Sequence, residues 1–344
     1  MEETREKNRV NAVNIVFLIT MIVSIVVSFL PLDFLSAYPV LQVMISQLIL
    51  VVPVAVYMIK EKMPYRETVQ MHRMKPLDML LTLVFGFLLQ PVLTLINAIS
   101  MVFATNTTST FMLEMSQSLP FVATLFLTAF VPCVFEETVY RGFFYQEYKK
   151  VSPWKAVVLS GFLFGLMHGN LNQFCYAAVL GMVFALLIEA TGSILSTMLI
   201  HFALNGFSVL VMYVYPSLYE IMKSFYKMYT DAGETELAQV ISEALGDMTL
   251  TGDEWMTQLF STTVEIGLGD VLSVYLMPAV FSGVVAFWVF RTLAIRSGNW
   301  ERICGFFKRS EEDTQPLLTT PLVIAILLGM LFMFVVEILT RLPR

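Results

Sequence analysis

Residues 10–32 form a run of 23 without a single charged side chain, and comparable runs recur along almost the whole chain. A bilayer core of about 30 Å is crossed by about 20 helical residues at 1.5 Å each, so every such run is long enough to span a membrane. Charge-free runs also cover 34–59, 190–219, 271–290 and 314–336, and apolar stretches interrupted by a few charges cover 77–104, 120–149 and 153–190. Of 344 residues, 57% are hydrophobic and 14% charged, with a mean hydropathy of +0.73, far from soluble composition. The chain reads as an all-α, polytopic integral membrane helical bundle. The first run exceeds a signal-peptide core and lacks a small-residue cleavage site, so it reads as a retained span.

The 38 residues of 153–190 suit two short spans better than one, because Gly-Asn-Leu-Asn-Gln at 169–173 supplies turn chemistry at its middle. Nine spans result, and the basic residues test them, since cytoplasmic loops carry the Lys and Arg. With the N-terminus cytoplasmic, 17 of 21 basic residues fall inside. The organisation expected is 1–119 with three spans, 120–214 with four, an acidic extramembrane insertion at 215–270, and 271–344 with the last two. Residues 104–118 read as a polar, Thr-rich connection. The net charge of −6, with basic residues spread over loops, disfavours nucleic acid as a partner. Cys133, Cys175 and Cys304 have neither disulfide nor metal-ligand spacing.

Against this apolar background stand Glu136, Glu137, Arg141, His168, His201 and Asn205. One ionised group at the bilayer centre costs about 3 kcal/mol or more, so such residues face a polar cavity or each other. Glu137 and Arg141 are i,i+4 with the acid first, the favourable order for pairing. Glu136 points about 100° away and is free to face a different wall. His201 and Asn205 share one helix face at i,i+4, as do Phe164 and His168. At 1.5 Å per residue, Glu136, His168 and Asn205 lie about 20 Å from their helix ends and His201 about 14 Å, depths at which one water-filled chamber can collect them.

Glu136-Glu137-x-x-x-Arg141, Phe164-x-x-x-His168 and His201-x-x-x-Asn205, in that order on three helices, resemble the three motifs of the CPBP family. It includes type II CAAX prenyl endopeptidases and bacterial Abi-type intramembrane proteases. Thr-Gly-Ser at 191–193 and His-Phe-Ala-Leu-Asn at 201–205 are similar to it too. The resemblance implies an intramembrane endopeptidase in which Glu136 and His168 activate a water, with Glu136 as general base. It implies that His201 and Asn205 form an oxyanion hole and that Glu137 and Arg141 support the helix face presenting Glu136.

Zinc is the alternative to a metal-free set, held by Glu136, His168 and His201; the compact His-Glu-x-x-His helix of zincins is absent, and the metal-free set is preferred. Gly267-Leu268-Gly269-Asp270 matches the Gly-x-Gly-Asp of presenilin-like aspartyl proteases, but the preceding span has no second aspartate, so Asp270 reads as an interfacial residue. Ser193 lacks a rhomboid-like context, and His72 reads as a loop residue. A transporter or scaffold with a buried polar relay is the non-enzyme alternative. The expected partners are the lipid bilayer and a membrane-associated peptide or protein, in a prokaryotic plasma membrane.

Overall fold

The computed structural model describes residues 2–30, 38–261, 267–306 and 316–342. The end of the first expected span at 31–32, the starts of the second and ninth at 34 and 314, and the basic Lys308, Arg309 and Arg344 lie outside them. In chain order the helices are α1 (Glu2–Ser28), α2 (Pro39–Lys60), α3 (Pro76–Met101), α4 (Thr107–Ser118), α5 (Phe121–Lys149), α6 (Pro153–Leu166), α7 (Leu171–Thr191), α8 (Leu195–Ala232), α9 (Thr235–Leu245), α10 (Gly252–Ser261), α11 (Leu268–Arg296), α12 (Trp300–Gly305) and α13 (Thr320–Arg341). A single helical turn, Tyr65–Thr68, interrupts the connection between α2 and α3.

Eight of these helices are long and apolar enough to cross a membrane, and the architecture is that of a polytopic membrane bundle. Large apolar side chains point outward along them: Ile59 is 77% exposed, and Met277 and Phe281 are each 74% exposed. Such a surface suits lipid and would be a liability in water. Beside these eight stands the shorter apolar α6, the first of the two short spans expected in 153–190. The stretch 153–190 does divide, because Gly169 takes a left-handed conformation at φ 63° and the Asn170 side chain caps α7 by accepting from the Gln173 N–H at 2.8 Å. The first half, α6, has only 14 residues, about 21 Å of helix against a core of about 30 Å.

Two expectations change. The connection at 104–118 contains α4, started by Asn106, whose side-chain oxygen accepts from the Ser109 N–H at 3.2 Å. Leu113 and Met115 bury its inner face, which offsets the polar, Thr-rich sequence. The helix of the seventh span continues past 219 to Ala232, 38 residues in all. Its extension is covered by the segment that follows: Trp255 stacks on Tyr219 at 5.1 Å, Lys223 donates to the Leu250 carbonyl at 2.7 Å, and Glu220 accepts from the Gly252 N–H at 2.8 Å.

Helices α6 and α7 pack at close range through small residues, as membrane helices do where backbones approach. A Cβ on Gly165 would lie 2.8 Å from the Phe174 carbonyl oxygen, and one on Gly161 2.6 Å from the Met182 nitrogen. One buried cluster unites α1, α2, α5, α6, α7 and α13, and a second joins α3, α7, α8 and α11. Helices α5 to α8 are thereby held between flanking helices that supply walls of two cavities.

Candidate active site

The sequence Phe-Glu-Glu-Thr-Val-Tyr-Arg lies in the middle of α5, a helix with two wider, π-helical turns, Phe126–Phe130 and Thr138–Phe144. Such turns insert a residue into the helical ladder and recur at functional sites. The first ends two residues before Pro132, whose missing N–H breaks the regular ladder there. The second begins directly after Glu137 and contains Arg141.

Burial divides the two carboxylates. The Glu137 side chain is 0% exposed, whereas that of Glu136 is 16% exposed and forms part of a cavity wall. Glu137 Oε1 lies 3.3 Å from Arg141 Nη1 and accepts from His201 Nδ1 at 2.9 Å, so it joins α5 to α8. The Arg141 guanidinium is also fully buried. It lies between two rings, with its carbon 4.1 Å from the Phe164 centroid and 5.2 Å from that of Phe184. Cation–π attraction of this kind strengthens when water is excluded.

Close approach of α6 and α7 shapes the same pocket. A Cβ on Gly181 would lie 2.7 Å from the Gly161 Cα and 3.1 Å from Arg141 Nη2. Gly181→Val is therefore expected to force the helices apart and displace the guanidinium, at a cost of about 1–3 kcal/mol. A lowered midpoint of thermal unfolding in detergent would register it; an unchanged midpoint would show that the interface yields freely.

His168 follows the last turn of α6 and donates from Nδ1 to the Phe164 carbonyl at 2.8 Å, leaving Nε2 as an acceptor in the neutral ring. The Phe164 ring meets the His168 ring edge-on at 4.8 Å between centroids, and lies 6.2 Å from that of His201. His201 gives its Nδ1–H to Glu137, and its Nε2 lies 3.9 Å from Glu136 Oε2, beyond direct hydrogen-bond reach. Asn205 donates one amide proton to the Thr128 carbonyl at 3.1 Å, and its second remains for another acceptor.

Glu136, His168, His201 and Asn205 line a single chamber of ≈ 660 Å³, with Gln90, Thr94, Asn97 and Thr107 adding polar, uncharged groups. Its rim at α4 is clipped in place: Asn170 donates to the Thr105 carbonyl and the Thr107 hydroxyl, and Thr105 donates to Glu337 of α13. A second cavity of ≈ 590 Å³ between α1 and α2 also reaches Glu136 and His168. Glu136 thus stands where the two meet. Among the described residues, no three His, Cys, Asp or Glu converge closely enough to hold a metal ion.

The remaining sequence candidates fall elsewhere. Asp270 is exposed on the first turn of α11. Ser193 is buried and donates to the His72 carbonyl at 2.5 Å, and the exposed His72 ring meets the Gly192 carbonyl at 2.8 Å, so both pin a loop. Sequence reasoning missed Gln47, which reaches Glu136 from α2. Its only signal was an amide, one of two with Gln42, within a charge-free and mainly apolar run.

The chamber gathers acceptors able to take a proton from water beside an amide able to donate to a developing oxyanion. Residues 118–207 match the family described as type II CAAX prenyl endopeptidase Rce1-like. The chain therefore carries a domain of this peptidase family over α5, α6, α7 and the first part of α8, a segment that holds all six polar motif residues. No curated protein and no solved structure is similar enough to the chain to count as a match.

Proposed function

We propose that this protein is an intramembrane endopeptidase that hydrolyses a peptide bond of a membrane-associated protein or peptide with a water activated at Glu136. The observation that carries this reading is the position of Glu136: partly exposed at the junction of two cavities, in a chamber it shares with His168, His201 and Asn205. Glu136 takes a proton from the water as its oxygen attacks the carbonyl carbon. It returns the proton to the leaving nitrogen as the C–N bond breaks. His168 Nε2, with Nδ1–H committed to the Phe164 carbonyl, accepts the water's other hydrogen and orients it.

The oxyanion is met first by the second amide proton of Asn205. Donation from His201 Nε2 calls for the doubly protonated ring, because Nδ1–H already faces ionised Glu137. An oxyanion donor of this kind contributes about 3–4 kcal/mol in a dry site. Glu137 acts by holding His201 and Arg141 in place.

No step is routed through zinc; Glu136, His168 and His201, which line one chamber, are the residues that would hold it. The membrane is proposed to be a prokaryotic plasma membrane. The test uses purified protein in vesicles with a membrane-spanning or lipid-anchored reporter peptide, before and after exhaustive chelation. Cleavage at an unchanged rate after chelation is expected. Recovery only on adding zinc would contradict the metal-free set, and solute flux without cleavage would contradict the peptidase reading itself.

A further inference from the structure

Helix α2 lies outside the segment matched to the peptidase family, yet it places a polar side chain against the central carboxylate. Val43, Gln47, Leu50, Val54 and Met58 recur at helical spacing and form the buried stripe of α2. Four of the five are apolar. Gln47 occupies a position where Leu or Met would pack, and it is only 7% exposed. Its Nε2–H donates to Glu136 Oε1 at 3.2 Å, across 89 residues of sequence. The opposite amide orientation would set a carbonyl oxygen against a carboxylate, so the chemistry fixes which atom faces Glu136.

The other end of the amide has no partner: Gln47 Oε1 is buried without a hydrogen bond. A glutamine retained for packing or helix association would satisfy both ends, and an apolar residue of equal length would serve the stripe better. What remains in its favour is its contact with Glu136, at a point where it lines both cavities.

We infer that Gln47 is a positioning residue of the site, fixing Glu136 by its Oε1 so that Oε2, on the His201 side, is the oxygen presented to water. This rests on the peptidase reading. An untethered Glu136 would explore both cavities and meet the water in fewer of its rotamers, which lowers turnover without altering how substrate is held.

The test compares wild type, Gln47→Met, Gln47→Glu and Glu136→Gln in vesicles with one cleavable reporter, alongside thermal unfolding of each purified protein. Gln47→Met keeps the length and packing and loses the donor. Its kcat is expected to fall about tenfold to a hundredfold with KM within about twofold and the unfolding midpoint unmoved. Gln47→Glu adds a carboxyl that can donate only while protonated, so its activity relative to wild type is expected to fall as pH rises. A merely structural glutamine would lower activity only together with the unfolding midpoint.

Wild-type turnover with both Gln47 variants equal to it would overturn the inference and leave the peptidase reading standing. Loss of activity in Gln47→Met matched by a lowered unfolding midpoint, with a pH-independent Gln47→Glu ratio, would also overturn it. Wild type cleaving no more than Glu136→Gln would remove the peptidase reading and this inference together.

Discussion

Glu136→Gln is expected to lower turnover by about 10²–10⁴-fold, the range associated with losing a positioned general base. The amide has nearly the shape of the carboxylate and can still pair with Gln47, but it cannot take a proton from water. Its side chain stands on the cavity wall, so no buried ion pair is broken. Folding should be preserved, with the unfolding midpoint and elution profile of wild type. Activity near that of wild type would show that the proton goes elsewhere, with His168 the first alternative.

Arg141→Ala is expected to act on folding instead. Removing the guanidinium leaves Glu137, 0% exposed, as a buried carboxylate with only His201 to balance it. Losing one partner of a buried pair costs about 3–5 kcal/mol, a large part of the stability of a typical fold. The stacking on Phe164 and Phe184 is lost as well. Arg141→Lys keeps the charge and loses the planar face, so it should fall between alanine and wild type. The yield of monodisperse protein and its unfolding midpoint measure this. A stable, well-folded Arg141→Ala protein lacking only activity would transfer Arg141 from support to chemistry.

These two substitutions fall five residues apart on one helix, and what separates their outcomes is a rotation of about 100° between Glu136 and Glu137, the partner of Arg141. That much was readable from spacing, because a helix fixes the relative directions of its own side chains. Long apolar runs likewise revealed the membrane bundle, and the Asn and Gly near 170 the break between α6 and α7. Contacts between helices were not readable in this way. Gln42 and Gln47 both stood in one apolar run, and only the rotation and tilt of α2 against α5 selects Gln47 for Glu136. The same holds for the Glu137 to His201 bond, which sets the tautomer of His201 and so the protonation state in which it can donate.

Local irregularities were hidden for a different reason. The π-helical turns of α5 depend on how its neighbours pack, and no residue pattern in 126–130 or 138–144 demands them. In 104–118 polar composition obscured a helix whose start depends on one capping side chain, Asn106. The short α6 shows that run length counts residues between charges, whereas turn chemistry decides where a helix stops.

The central claim is that a water activated at Glu136 cuts a peptide bond within the membrane bundle. The most direct measurement is mass spectrometry of the peptides released from vesicles carrying one membrane-anchored reporter and either wild-type protein or Glu136→Gln. A new pair of peptide termini is expected in the wild-type sample and not in the Glu136→Gln sample, with both proteins folded. The same new termini in both samples, at comparable rates, would contradict it.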